Sequence, residues 1–307
     1  MNLESAKQGW HNFWFAEQST LPVSLFRIAL GLCILQSCVY IYPDLFTWFG
    51  DLSWTPTEWS PPAYISLWKL LPPGDTSVLI VFWTLVVAAS CFTLGFLTKV
   101  STVVVWLCLM SASYANPFVA NSGDSLMRIC TFFLIFAPCG KSLSLDRLWL
   151  NRQAPTGGLV DQTLYSPWAQ RLIQVQVACV YWQAFWGKIH GPHWLDGTAI
   201  YYVTHLSELQ RIYLPQIFDN LWMCKILTWA TLLFEVCLWS LIWLKPCRYY
   251  ILLLGVALHA GIELTLNIPV FEILMVATYI LFVDGEDLNS WAGKLRQLSQ
   301  RFLPIKG

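Results

Sequence analysis

Ser77–Leu97 reads SVLIVFWTLVVAASCFTLGFL, twenty-one residues without a single Asp, Glu, Lys or Arg. At about 1.5 Å per residue such a run makes a helix of about 31 Å, the thickness of a bilayer's hydrocarbon core. A helix apolar on every face is buried in lipid or in protein rather than turned to water. Working outward from it, seven further segments read the same way: about Ser24–Ile41, Val100–Ala115, Asp124–Phe136, Leu172–Gly187, Leu221–Trp243, Tyr249–Leu266 and Phe271–Val283. Several fall short of the usual ~20 residues, as suits helices sheltered by neighbours or opening on a water-filled cavity. The sequence therefore predicts an all-α integral membrane protein, a polytopic bundle of about eight transmembrane helices.

Composition supports that class. Only 12% of the 307 residues are charged and 56% are hydrophobic, whereas a soluble domain carries about 25% charge because its surface faces water. Eighteen Trp and twelve Tyr fit a chain with two interfaces to anchor. A net charge of zero gives no electrostatic case for nucleic acid. The ten cysteines lie in or beside apolar runs and form no C-x-x-C pair, so they read as small buried residues, and no disulfide or metal site is expected. No basic start leading to a small-residue cleavage site marks a signal peptide. Trp10–Phe15 is too short to span and is expected to lie along the interface. One membrane domain over 1–307 is expected.

The basic residues orient the bundle. Lys7, Lys99, Lys141, Arg147, Arg152, Arg171, Lys245, Arg248, Lys294, Arg296, Arg301 and Lys306 fall on one side of eight spans, and Lys69, Lys188, Arg211 and Lys225 on the other. Twelve against four places both termini, including a basic tail over 284–307, in the cytoplasm of a plasma (inner) membrane protein. An odd number of spans would mix the two groups. The two long outer connections, about Tyr42–Thr76 and Lys188–Asn220, are rich in Trp, Tyr and Pro and are expected to form short interfacial or re-entrant helices.

Charge at membrane depth costs several kcal/mol unless paired or hydrated, which makes each such residue a functional candidate. Arg27, Asp124, Arg128, Glu235, His259 and Glu263 stand out. Asp124 with Arg128, and His259 with Glu263, are each four apart on one helix face, where they can pair. Each pair reads either as a clasp between helices or as part of a site. Lys188 ends the fifth span on the outer side, within Tyr181-Trp182-Gln183-Ala184-Phe185-Trp186-Gly187-Lys188-Ile189-His190-Gly191. It reads as a snorkelling lysine, or as a base kept neutral by apolar surroundings. Its neighbours are aromatic or apolar and its side is poor in basic residues, which favours the second reading. Asp124 opens the fourth span on the same side, and His259 lies nearer mid-depth. His190, His193 and His205, with Asp196 or Glu208, lack a regular ligand spacing.

These residues carry a resemblance. The chain resembles the HTTM (horizontally transferred transmembrane) domain family, which includes the vitamin K-dependent γ-glutamyl carboxylase. The likeness runs from Phe26-Arg27 to Leu281-Phe282. It is most specific where a Tyr-aromatic-x-Ala-x-x-x-Lys run at Tyr181 to Lys188 leads to His193-Trp194-Leu195-Asp196-Gly197. His259 with Phe271 is similar to a carboxylase pair, and Gly123-Asp124-Ser125-Leu126-Met127-Arg128 looks like a signature of bacterial members. The resemblance implies Lys188 and His259 as catalytic residues, and Asp124, Arg128, Trp194, Glu263 and Arg27 as binding residues for substrate or cofactor. It implies a reduced vitamin K or menaquinone-type hydroquinone that a neutral lysine deprotonates. Oxygen then generates a strongly basic alkoxide, which takes a γ-proton from glutamate, and carbon dioxide captures the carbanion. Such a base must be kept from water.

About 24 residues follow Val283, so no counterpart of the carboxylase's lumenal β-rich portion, which presents glutamates, is expected there. Another branch of the family matures a secreted peptide toxin. Two functions are therefore expected to compete: a carboxylase-like membrane enzyme acting on a peptide or small substrate, and a non-catalytic lipid- or quinone-binding maturation factor. The second would act with a partner protein on an exported peptide. A transporter is disfavoured, since the spans show no inverted duplication.

Overall fold

The computed structural model describes residues 3–51, 53–54, 67–72, 74–116, 118–153 and 164–302. They form two compact units, one up to Arg171 with the chain from Ile280 onward, the other Leu172–Tyr279. Residues 55–66 of the first outer connection and Lys306 lie outside the described residues.

The first unit opens with α1 (Leu3–Phe15), an amphipathic helix without a buried residue. α2 (Leu21–Ile41) carries Pro22 in its first turn, where a missing N–H costs nothing, and continues through a 3-10 turn into α3 (Leu45–Phe49). Then come α4 (Asp75–Leu94), α5 (Thr98–Ala115), α6 (Ser122–Phe136) and α7 (Leu145–Gln153). α4 packs on α2 and α5, and α5 on α6. α4 stops at Gly95, whose left-handed φ of +69° suits glycine, and any Cβ there would run into Ser144 and the Arg27 guanidinium. Gln18–Ser19 pairs antiparallel with Leu164–Tyr165, the one small sheet among the described residues.

α8 (Trp168–Lys188) leads into the second unit. The second long connection holds three short helices, α9 (Pro192–Leu195), α10 (Ala199–Thr204) and α11 (Pro215–Phe218), where short helices were expected. α12 (Leu221–Ser240) ends in a 3-10 turn at Leu241–Trp243, and α13 (Lys245–Thr265) runs back beside it. α14 (Phe271–Thr278) packs on α13 and extends as a 3-10 turn, Tyr279–Phe282. α15 (Gly285–Phe302) belongs to the first unit, against α2.

Among the described residues five helical stretches are long and apolar enough to cross a membrane: Leu21–Phe49, Asp75–Leu94, Thr98–Ala115, Leu221–Trp243 and Lys245–Thr265. The other three expected spans are helical but do not meet that measure. α6 has 15 residues and Phe271–Phe282 spans two short helices. α8 reaches 21 residues but carries Gln170, Arg171, Gln174, Gln176, Gln183 and Lys188. The chain is a helical membrane protein.

Candidate active site

Lys188 is the last residue of α8. The chain turns directly after it, with Gly191 N–H donating to the Lys188 carbonyl at 2.9 Å, and Pro192 starts α9. That turn brings Trp194 back, so the Lys188 ammonium lies 5.1 Å from the centre of its ring, a cation–π distance. Nζ donates to Oε1 of Glu235 on α12. Glu235 is only 5% exposed, and its Oε2 accepts no hydrogen bond among the described residues. A buried carboxylate oxygen without a donor is costly, and its cost is recovered when a ligand or water supplies one.

A second polar cluster lies in the same unit. His259 of α13 points Nδ1 at Oε2 of Glu272 on α14, and its Nε2 meets the Tyr181 hydroxyl at 2.6 Å. That hydroxyl also contacts the hydroxyl of Tyr279. All four side chains are buried. Glycine at 255 makes the arrangement possible, since a Cβ there would come within 2.7 Å of Tyr279 Cζ. Val270, just before α14, holds φ +68°, a strained value for a β-branched residue. Glu235 is within Coulombic reach of both Tyr181 and His259. The backbone of α8 approaches α12 and α13 less closely than those two approach each other, so long side chains bridge the gap.

The remaining expected site residues are placed elsewhere. Glu263 pairs with Arg211 rather than with His259. One helical turn at 100° per residue leaves them about 40° apart, and Glu263 sits near the end of α13, where 209–211 straps on through Arg211 N–H to Thr265 O at 2.9 Å and Asn267 N–H to Leu209 O at 2.7 Å. Asp124 does not form an ion pair with Arg128 among the described residues. It completes a capping box on α6: Asn121 N–H donates to Asp124 Oδ2 at 2.9 Å, and Asn121 Oδ1 accepts from Gly123 N–H and Asp124 N–H. Arg128 lies over the Tyr114 ring at 5.6 Å. Arg27 is fully enclosed in the first unit, donating to Cys139 O and Leu143 O, each at 2.6 Å, and to Thr93 O at 3.4 Å.

The His-Trp-Leu-Asp-Gly run has structural causes of its own. Asp196 accepts from Thr198 Oγ1 at 2.6 Å and Thr198 N–H at 2.9 Å, and the Thr198 hydroxyl, then the Thr198 amide, hold its carboxyl below the usual range. Gly197 has φ +83°, and a Cβ there would touch Lys225 and Trp229 of α12. His205 and Asp219 both meet the Tyr213 hydroxyl, and its bond to Asp219 pushes that phenol up to about 12. No three His, Cys, Asp or Glu side chains among the described residues converge as metal ligands.

Sequence reasoning passed over Glu272 and Tyr279, and quoted Tyr181 as the start of the run to Lys188 without giving it a role in the site. Glu272 sits second in its predicted span and reads as an ordinary first-turn acid, while the tyrosines read as interfacial anchors. The rule that singled out Glu235, a carboxylate inside a predicted span, applies equally to Glu272.

A family model for the HTTM domain matches residues 16–286. The uncharacterized protein YitO of Bacillus subtilis (strain 168) is 24% identical over 227 residues, which cover 70% of each chain. No solved structure matches significantly. With that family model running through the helices that carry both polar clusters, the chain belongs to the HTTM domain family.

Proposed function

We propose that the protein is a membrane enzyme resembling the vitamin K-dependent carboxylase. In this reading Lys188 is a base toward a reduced, menaquinone-type quinone, with oxygen as co-reactant, and the product is a modified peptide or small molecule. Carboxylation, with carbon dioxide as a further co-reactant, is one such reaction. The observation that carries the reading is the orphaned Oε2 of Glu235 beside the Lys188 ion pair. Such an atom fits a hydroxyl-bearing ligand, which can donate to it.

When bound, the hydroquinone supplies a weakly acidic hydroxyl and two electrons for oxygen. Lys188 and Glu235 would handle the proton. Transfer from Nζ to Oε1 leaves an amine and a carboxylic acid, both neutral, which a low-dielectric site tolerates better than two imperfectly solvated charges. The unprotonated Nζ then accepts a proton from the ligand hydroxyl. Trp194 covers one side of the ammonium, while the Lys188 side chain keeps 24% of its surface exposed. His259 is the second catalytic residue of this reading. Glu263 bounds the unit through the Arg211 strap, whereas Asp124, Arg128 and Arg27 shape the first unit.

The remaining chain is read as eight spans, with α6, α8 and Phe271–Phe282 crossing beside the five longer stretches. Both termini are cytoplasmic in a plasma membrane, and the site lies toward the outer side. Lipid and quinone are the expected partners, with an exported peptide or a partner protein as the source of substrate.

The Lys188–Glu235 pair also favours one other reading, because a closed ion pair is what a helix clasp in a non-catalytic lipid- or quinone-binding maturation factor requires. Purified protein in nanodiscs, given reduced naphthoquinone, oxygen and bicarbonate, separates the two. Quinone epoxide by mass spectrometry from wild type, absent with Lys188→Ala that still binds the quinone, is the expected result. A folded, quinone-binding wild type without epoxide would sink the enzyme reading in favour of the binding factor.

A further inference from the structure

Beyond naming His259, the Lys188 chemistry leaves the second cluster without a role, and its hydrogens can be assigned one by one. Glu272 as a carboxylate accepts only, so the hydrogen in its contact with His259 sits on Nδ1. A neutral imidazole protonated at Nδ1 offers Nε2 as an acceptor, so the Tyr181 hydroxyl, 2.6 Å away, donates to it. Tyr181 has no second hydrogen, so the Tyr279 hydroxyl donates to the Tyr181 oxygen. With Glu272 ionised and His259 neutral, every hydrogen along the chain points from Tyr279 toward Glu272.

Such a chain conducts. If each hydrogen moves across its own bond, one O–H bond breaks at Tyr279 and one forms at Glu272, while His259 exchanges its Nδ1 proton for one at Nε2. No heavy atom has to travel and no redox partner is needed. Four ionisable side chains, each no more than 4% exposed, are an expensive way to hold α8, α13 and α14 together, since an apolar contact of similar size serves a clasp as well or better. Two features keep the geometry tight: the glycine at 255 that lets Tyr279 close on α13, and the strained Val270 leading into α14. Tyr181 stands seven residues before Lys188 on α8, about 10 Å by helical rise.

We propose that Tyr279, Tyr181, His259 and Glu272 form a buried proton relay, with Glu272 as terminal acceptor and positioning residue for the His259 tautomer. The relay carries protons to and from the hydroxyl ligand of the second unit, and in that respect it rests on the acid–base reading of Lys188. Among the described residues, the titratable groups in contact with His259 are Tyr181 on α8 and Glu272 and Tyr279 on the α14 segment, with Glu235 on α12 near enough to act on it electrostatically.

The test uses full-length protein in nanodiscs with 15N-labelled histidine, the His259 signals being assigned by their loss in His259→Gln. In wild type the proton is expected on Nδ1, with Nε2 hydrogen-bonded. Tyr181→Phe should move the Nε2 shift alone, and Glu272→Gln should abolish the preference for Nδ1. A wild-type proton on Nε2, or an Nε2 shift indifferent to Tyr181→Phe, overturns the relay. A second arm follows oxygen-dependent turnover of reduced naphthoquinone. There Glu272→Gln should lower kcat by about 100-fold and displace the acid limb of the pH profile while KM holds, with partial recovery in Glu272→Asp. Full activity and an unchanged pH profile in Glu272→Gln leave only a clasp. If Lys188→Ala retains turnover, the Lys188 reading fails, and the tautomer measurement still decides the relay.

Discussion

Arg27 and Lys188 illustrate two fates of a basic residue in an apolar run. Among the described residues Arg27 has no carboxylate in contact but donates to three backbone carbonyls, two of which follow α6 and one of which lies near the end of α4. Replacing it by Met leaves those carbonyls buried without their donor, and hydrogen bonds from a charged group are worth about 1.5–3 kcal/mol each. Arg27→Met is therefore expected to lower the thermal unfolding midpoint in detergent sharply, and Arg27→Lys to recover little, because an ammonium lacks the fork that reaches several acceptors. An unchanged midpoint would show that Arg27 is not the lock of the first unit. Lys188 instead meets the carboxylate of Glu235 and the ring of Trp194, and the other Glu235 oxygen accepts no hydrogen bond among the described residues. At Gly255 an added methyl collides with Tyr279, so Gly255→Ala should displace the Tyr279 hydroxyl from Tyr181. The His259 nitrogen shifts would report that displacement, and shifts matching wild type would count against the packing assigned to Gly255.

Among the elements, α6 owes its start to the Asn121–Asp124 capping box. Removing an N-cap of this type typically costs ~1 kcal/mol, so Asn121→Ala and Asp124→Ala should each reduce stability by about that much, and the double variant by less than their sum because they share one box. A loss of quinone binding with no loss of stability in Asp124→Ala would instead return Asp124 to the ligand site. The short helices after α8 respond to pH through Asp196. Its carboxyl is held low by Thr198, so its contribution is present above the ordinary carboxylate range and fades as pH falls through the depressed value. Tyr213 works in the opposite sense: held up by Asp219, it contributes below the ordinary phenol range and is lost as pH rises toward about 12. Hydrogen exchange over 192–219 should accelerate at both extremes, and Asp196→Asn should remove the acidic one. A flat acidic limb in wild type would show that the Asp196 turn bears no part of the connection's order.

For the whole molecule the testable quantity is topology. With cytoplasmic termini, Ser290→Cys should react with a membrane-impermeant maleimide only after permeabilisation, and Glu208→Cys should react in intact cells, Cys179 having been replaced in both. The reverse pattern would invert the bundle and move Lys188 to the cytoplasmic side. The membrane class and the helix positions were legible in the residues, because a 3.6-residue helix needs about 20 apolar residues to cross lipid and that demand is local. Predicted spans and observed helices accordingly agree to within a few residues, as at Val100–Ala115 against Thr98–Ala115. Lys188 and His259 were legible too, as polar groups in apolar surroundings and by likeness to a family. Their partners were not. Glu235 lies 47 residues from Lys188, and Glu272 is 13 from His259 on a different helix. Spacing along one helix pointed instead to Glu263 for His259 and to Arg128 for Asp124. A hydrogen bond depends on where side chains meet, and only packing between helices sets that distance. Sequence by itself determined that this chain crosses a membrane as helices and that several ionisable groups, Lys188 and His259 among them, fall within or beside its apolar runs. Tertiary structure alone decided which of those groups touch, because only the packing of helices sets the distance between side chains far apart in sequence.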